Sequence, residues 1–151
     1  MQKQKLTGWL ILFIVWLGLS SVNGLGSLDR IAQSWKPLMA NYPSLHGAVT
    51  LFQFFLGAGM IAWLYTAWVL YEREPGSLKS AQYSLLAGAG LRLIGTWSIV
   101  LFGGLPVEKL QTLMSQTLIS TCGVLVFSGV WYYYLVSSAR VRQIYAAFPT
   151  G

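Results

Sequence analysis

The chain has 151 residues, 55% of them hydrophobic and 9% charged, with a mean hydropathy of +0.57. Soluble globular chains carry about a quarter charged residues and cover much of their surface with polar groups, so a water-soluble domain is excluded and a bilayer is implied. The net charge of +6 comes from ten Lys and Arg scattered between apolar runs. They form no stripe, which argues against nucleic acid as a partner and for roles in topology and contact with anionic headgroups.

A membrane-crossing helix needs about 20 mostly apolar residues. Residues 6–26 form the first such run, behind Lys3 and Lys5. A basic start and an apolar core also suit a signal peptide, but Val22-Asn23-Gly24 is a weak cleavage-like site and a retained span is expected. In the segment from Ser27 to Ser44, Leu28, Ile31, Ala32 and Trp35 recur at helical spacing, with Asp29, Arg30, Gln33 and Ser34 on the other face. Ser27 can cap such a helix and Pro37 lies just past its end. A short amphipathic helix on the membrane surface is expected, and packing across the mouth of the bundle suits the same stripe.

Residues 45–71 form the second span, stopped by Glu72-Arg73-Glu74 and the turn signal Pro75-Gly76. Residues 81–102 form the third, with one charge, Arg92, and Gly103-Gly104-Leu105-Pro106 after it. Residues 110–136 form the fourth, followed by a polar tail. Continuous apolar runs exclude a β-barrel, whose strands alternate. The fold expected is an all-α four-transmembrane-helix bundle, a single transmembrane domain over residues 1–151.

Positive charge orients such a bundle. One side carries Lys3, Lys5, Arg73, Lys79, Arg140 and Arg142; the other carries Arg30, Lys36 and Lys109. A multi-pass protein of the inner membrane with both termini in the cytoplasm is expected. Trp9, Trp63, Trp68, Tyr71 and Trp131 to Tyr134 fall toward the inner boundary, with Trp35 and Tyr42 toward the outer one, as an aromatic belt would place them.

Gly8-Trp9-Leu10 opens the chain's first span. At the other end stand Trp131, Tyr134, Ser138, Arg140, Val141 and Tyr145. These two segments resemble the start and the closing pattern of a family of small bacterial membrane proteins known as domain-of-unknown-function family 2569. Tyr145 replaces the usual final Phe, and Glu72 to Ser77 departs from the family's basic Phe-Pro turn. The resemblance implies four helices over nearly the whole chain and brings no activity with it. Ser138, Arg140, Val141 and Arg142 form a juxtamembrane motif that also reads as a basic end fixing topology.

Residues that carry chemistry are scarce. Cys122 is the single cysteine and sits deep in an apolar run, which excludes internal disulfide exchange and suggests a small buried residue. His46 is the single histidine, so a bis-histidine haem is excluded, and it reads as interfacial. No Asp or Glu lies within a span, which speaks against carboxylate proton coupling. Metalloprotease, phosphate-loop and serine-hydrolase motifs do not occur. No enzyme activity, metal or cofactor is expected.

Arg92 is the exception. It lies near mid-membrane, where an arginine costs at least about 2.5 kcal/mol and normally faces the bundle interior. Ala81, Ser84, Gly88, Arg92 and Gly95 share one helical face of mostly small residues, suited to close approach of another helix. In an antiparallel bundle Thr117, Ser120 and Thr121 stand level with Arg92, and Asn23, Gln53 and Gln116 lie slightly outward. Together they are the candidate lining of a polar cavity. Arg92 then either ties helices together or awaits an anionic headgroup, an acidic small molecule or a partner's carboxylate. The leading expectation is a non-enzymatic accessory or assembly protein that binds another integral membrane protein. The alternative is a lipid- or anion-binding protein or transporter using this cavity; a transporter this small would need to form a homo-oligomer, and no inverted repeat is visible.

Overall fold

The computed structural model describes residues 8–74 and 76–146. Lys3 and Lys5, the start of the first expected span at Leu6, and Pro75 lie outside them. The described chain is all helix: α1 Gly8–Met39, α2 Ser44–Glu72, α3 Ser77–Phe102, α4 Val107–Ser137 and the short α5 Ala139–Ala146. The first four are each long and apolar enough to cross a membrane, so the chain is a multi-pass membrane protein built as a four-helix bundle. Short connections make successive helices antiparallel. Two ends result, a terminal end bearing Gly8 and α5, and a distal end bearing Met39, Ser44, Phe102 and Val107.

The expected separate surface helix does not form. Residues 27–39 continue α1, giving one helix of 32 residues, about 48 Å long against roughly 30 Å of hydrocarbon. Ser27 fails as a cap because its hydroxyl donates back to the Gly24 carbonyl at 2.8 Å, which keeps the residue inside the helix. Pro37 removes one backbone hydrogen bond near the C-terminus, and the helix ends two residues later at Met39. The apolar stripe also has a place to go. Ala32, Trp35 and Leu38 pack on a distal cluster of Leu45, Val49 and Ile99, across the mouth of the bundle rather than flat on the membrane.

Helix pairing in lipid depends on close packing and interhelical hydrogen bonds, because lipid tails are as apolar as leucine. The α2–α3 pair, the most extensive interface, uses both. Gly59 and Gly88 face each other so tightly that a Cβ at Gly59 would come 2.8 Å from the Gly88 carbonyl oxygen, and one at Gly88 would run into the Trp63 ring. Along the seam the Thr66 and Ser84 hydroxyls lie 2.7 Å apart, Ser98 donates to the Ala48 carbonyl at 3.2 Å, and Ser44 donates to the Gly103 carbonyl at 2.9 Å. The small-residue face of α3 is therefore its contact with α2. The backbones of α1 and α4 stay farther apart and meet at the terminal end through large rings: Phe13 stacks on Trp131 with centroids 4.1 Å apart, and Trp16 and Trp63 both approach Phe127.

Below these rings, α5 folds under the bundle. The Val141 N–H donates to Ser138 Oγ at 3.3 Å, a helix cap, and Val141, Ile144 and Tyr145 are buried against Leu10, Leu70 and Leu135. The Tyr145 hydroxyl donates to the Leu70 carbonyl at 2.6 Å, satisfying an acceptor in the last turn of α2. Cys122, expected to be buried, is exposed on the outer face of α4.

Two measurements test this packing. Gly88→Ala should cost about 1–3 kcal/mol and lower the Tm of the detergent-solubilised chain. Gly90→Ala, where an added Cβ meets nothing within 4 Å, should not. Burial pushes the Tyr145 phenol from 10.0 up to about 12, against a smaller opposing pull from Arg73. Between those pH values the folded chain holds a proton that the unfolded chain has released, so stability falls as pH rises through that window. Thermal melts of the native chain across pH 10 to 12 should show this fall, and Tyr145→Phe should flatten it.

Candidate functional site

Arg92 is the sixteenth residue of α3, about 15 Å along the helix axis from its distal end. Its position follows from the α2–α3 contact. Gly59 and Gly88 let the helices close together, and one turn beyond each stand Trp63 and Arg92. Trp63 is buried, anchored by its indole N–H donating to the Leu85 carbonyl at 3.1 Å. The Arg92 guanidinium carbon lies 4.2 Å from the centre of the Trp63 ring, a cation–π contact. Arg92 Nε is buried and has no hydrogen-bond partner among the described residues.

Arg92 also borders a cavity of about 370 Å³ to which all four long helices contribute. Ile31 and Trp35 come from α1, Phe52, Leu56 and Met60 from α2, Thr96 and Ile99 join Arg92 from α3, and α4 adds Leu113, Gln116, Thr117, Ser120 and Val124. Arg92 is the one charged residue in this lining. Gln116 and Ser120 are exposed although they border the cavity, so its α4 wall is also its opening, facing Ile31 and Trp35 across the gap between α4 and α1. A second hollow of about 400 Å³ shares Trp35, Leu113 and Gln116 with the first and extends it toward Glu108 and Lys109 at the distal end. An apolar chamber at mid-depth, with one cation at its base, thus opens both sideways and toward the distal surface.

The structure gathers part of the expected set and disperses the rest. Gln116, Thr117 and Ser120 border the cavity with Arg92. Asn23 is exposed on α1, because the helix is rotated so that Ser21 rather than Asn23 faces inward. Gln53 turns to α1 and donates to the Leu28 carbonyl at 3.4 Å. Thr121 accepts the Trp97 indole N–H at 3.1 Å and ties α3 to α4. In the juxtamembrane motif Ser138 caps α5 and Val141 is buried, while Arg140 and Arg142 are exposed, Arg142 reaching the Ser137 carbonyl at 3.4 Å.

Several aromatic residues expected in the interfacial belt pack inward instead. Trp63 lies under Arg92, Trp35 walls the cavity and Trp131 stacks on Phe13. The sequence held a signal for Trp63, four residues after Gly59 and so on the same helical face, as Arg92 is after Gly88. Trp9, Trp68, Tyr71 and Tyr133 are exposed on the bundle surface, as a belt requires.

Among the described residues no group of His, Cys, Asp and Glu could hold a metal ion. An unpaired guanidinium donor in this setting costs stability, since a buried unsatisfied donor carries a penalty of about 1–3 kcal/mol. Arg92→Met keeps an apolar stem against Trp63 and removes the charge, and should raise the Tm of the ligand-free chain correspondingly. A fall in Tm would instead show Arg92 holding the helices together. No family model, curated protein or solved structure matches the chain, and what the cavity does has to follow from its own residues.

Proposed function

We propose that the chain is a non-enzymatic binding protein of the bacterial inner membrane that holds an anionic, lipid-soluble molecule in the Arg92 cavity. One observation carries this: a guanidinium whose buried Nε has no hydrogen-bond partner among the described residues, beside a chamber whose described lining holds no carboxylate. Keeping an unneutralised charge at mid-membrane is costly, and an anion that arrives from outside the chain offsets the cost. The chamber has the mixed lining of a ligand site, mostly apolar with a few convergent polar groups, and its volume is near the lower end of the roughly 300–1,000 Å³ typical of such sites. On this reading the terminal end faces the cytoplasm, since Arg73, Lys79, Arg140 and Arg142 stand there, and the cavity opens toward the outer leaflet.

The lateral opening between α1 and α4 supports a second reading, that of an accessory protein. A carboxylate on a neighbouring transmembrane helix could reach Arg92 through the same gap, so the partner would be another integral membrane protein or a second copy of this chain. Native mass spectrometry of the protein released gently from its own membranes separates the two. Binding predicts an added mass of small-molecule size that is lost in Arg92→Leu; the accessory reading predicts a co-purifying polypeptide lost in the same variant. If Arg92→Leu raises Tm and changes neither retained mass nor co-purification, both readings fail.

A further inference from the structure

We infer that the molecule held at Arg92 is a single-chain carboxylate amphiphile of medium length, with its head on the guanidinium and its chain along the gap between α1 and α4. This rests on the binding reading above and names the ligand class.

Charge sets the first condition. Among the described residues Arg92 is the only charged one lining the cavity, so one negative charge neutralises the site. A dianion such as a phosphate monoester would leave a net negative charge buried in an apolar chamber, which is costly. Geometry sets the second. Trp63 packs against one side of the guanidinium and Nε is buried, so an incoming group meets the terminal Nη atoms. A carboxylate can accept from both Nη groups at once, a planar two-bond arrangement in which guanidinium and carboxylate match. One carboxylate thus gives the guanidinium an acceptor and cancels its charge.

The walls set the third condition. Beyond Arg92 the lining turns to Phe52, Leu56, Met60, Ile99 and Leu113, which reward a hydrocarbon chain and reject a small hydrophilic acid. At about 370 Å³ the cavity is near the lower end of the range for small-ligand sites, which suits one hydrocarbon chain better than two. The opening past Trp35 and Ser120 lets such a molecule arrive directly from the bilayer, where amphiphiles of this kind dissolve.

The test uses the full chain in nonionic detergent, with bromoundecanoate as probe, because bromine quenches tryptophan on contact and Trp35 and Trp63 line or adjoin the cavity. Quenching should saturate, and decanoate should displace the probe. Decanol, which lacks the charge, should be about ten- to a hundredfold weaker, the span expected for a charge-assisted hydrogen bond. Arg92→Gln should erase the difference between decanoate and decanol. Ser120→Phe narrows the opening at an exposed position that tolerates an apolar ring, and should weaken the probe with Arg92 intact. If decyl phosphate or a diacyl phosphatidylglycerol displaces the probe better than decanoate, the ligand class is wrong while anion binding at Arg92 stands. If decanol competes as well as decanoate in the unaltered chain, no charge is being recognised, and both this inference and the binding reading are overturned.

Discussion

At Gly59 and Gly88 the backbones of α2 and α3 come so close that neither residue has room for a Cβ. Much of the bundle's organisation depends on that approach. It aligns the hydroxyls of Thr66 and Ser84, brings Ser98 to a carbonyl of α2, and sets Trp63 against the first turns of α3. Because Arg92 follows Gly88 by one turn, the same contact lays its guanidinium over the Trp63 ring. A larger residue at either glycine would separate the helices and remove the platform on which the charge rests.

The tight pair has a looser counterpart. The α1–α4 seam is propped at the terminal end by Phe13, Trp16, Phe127 and Trp131, whose bulk holds the two backbones apart. Among the described residues no comparable ring stack joins them beside the cavity, and the space left over is the chamber beside Arg92. Small residues on one seam and large ones on another thus divide the bundle into a rigid pair and a gap. The long α1 adds a roof, since its last turns carry Trp35 and Leu38 onto the distal cluster instead of leaving at the membrane surface. At the terminal end α5 plays the matching part, capped by Ser138 and bonded through Tyr145 to the end of α2.

Stability and binding pull in different directions at Arg92. The residue contributes a cation–π contact but leaves a buried donor unbonded, a combination unfavourable for an empty bundle and useful for one that takes up an anion. Sites kept at a cost to the fold are where function is expected to reside. The serines buried without partners at Ser21, Ser77 and Ser128 are a different case, because an uncharged hydroxyl carries a far smaller penalty and none of the three lines the cavity.

The sequence alone determined the class, the number of apolar helices and the order in which residues follow one another along each. A span must be a long apolar run, and its ends are marked by charges, Gly and Pro, so position along the chain converts directly into depth. On that basis Arg92 was visible as a mid-membrane charge, and Gln116, Thr117 and Ser120 stood at levels from which they could meet it. What depth leaves open is the rotation of each helix about its own axis, and only side-chain packing fixes that. Asn23, Gln53 and Thr121 stood at suitable depths yet turned to lipid, to α1 and to Trp97, while Trp63 and Trp35 turned inward although a belt at the surface would also have suited them. Likewise the helix after Gly26 was legible as a stripe, but whether it broke from α1 depended on the distal cluster waiting to receive it, a surface that exists only once the other helices are assembled.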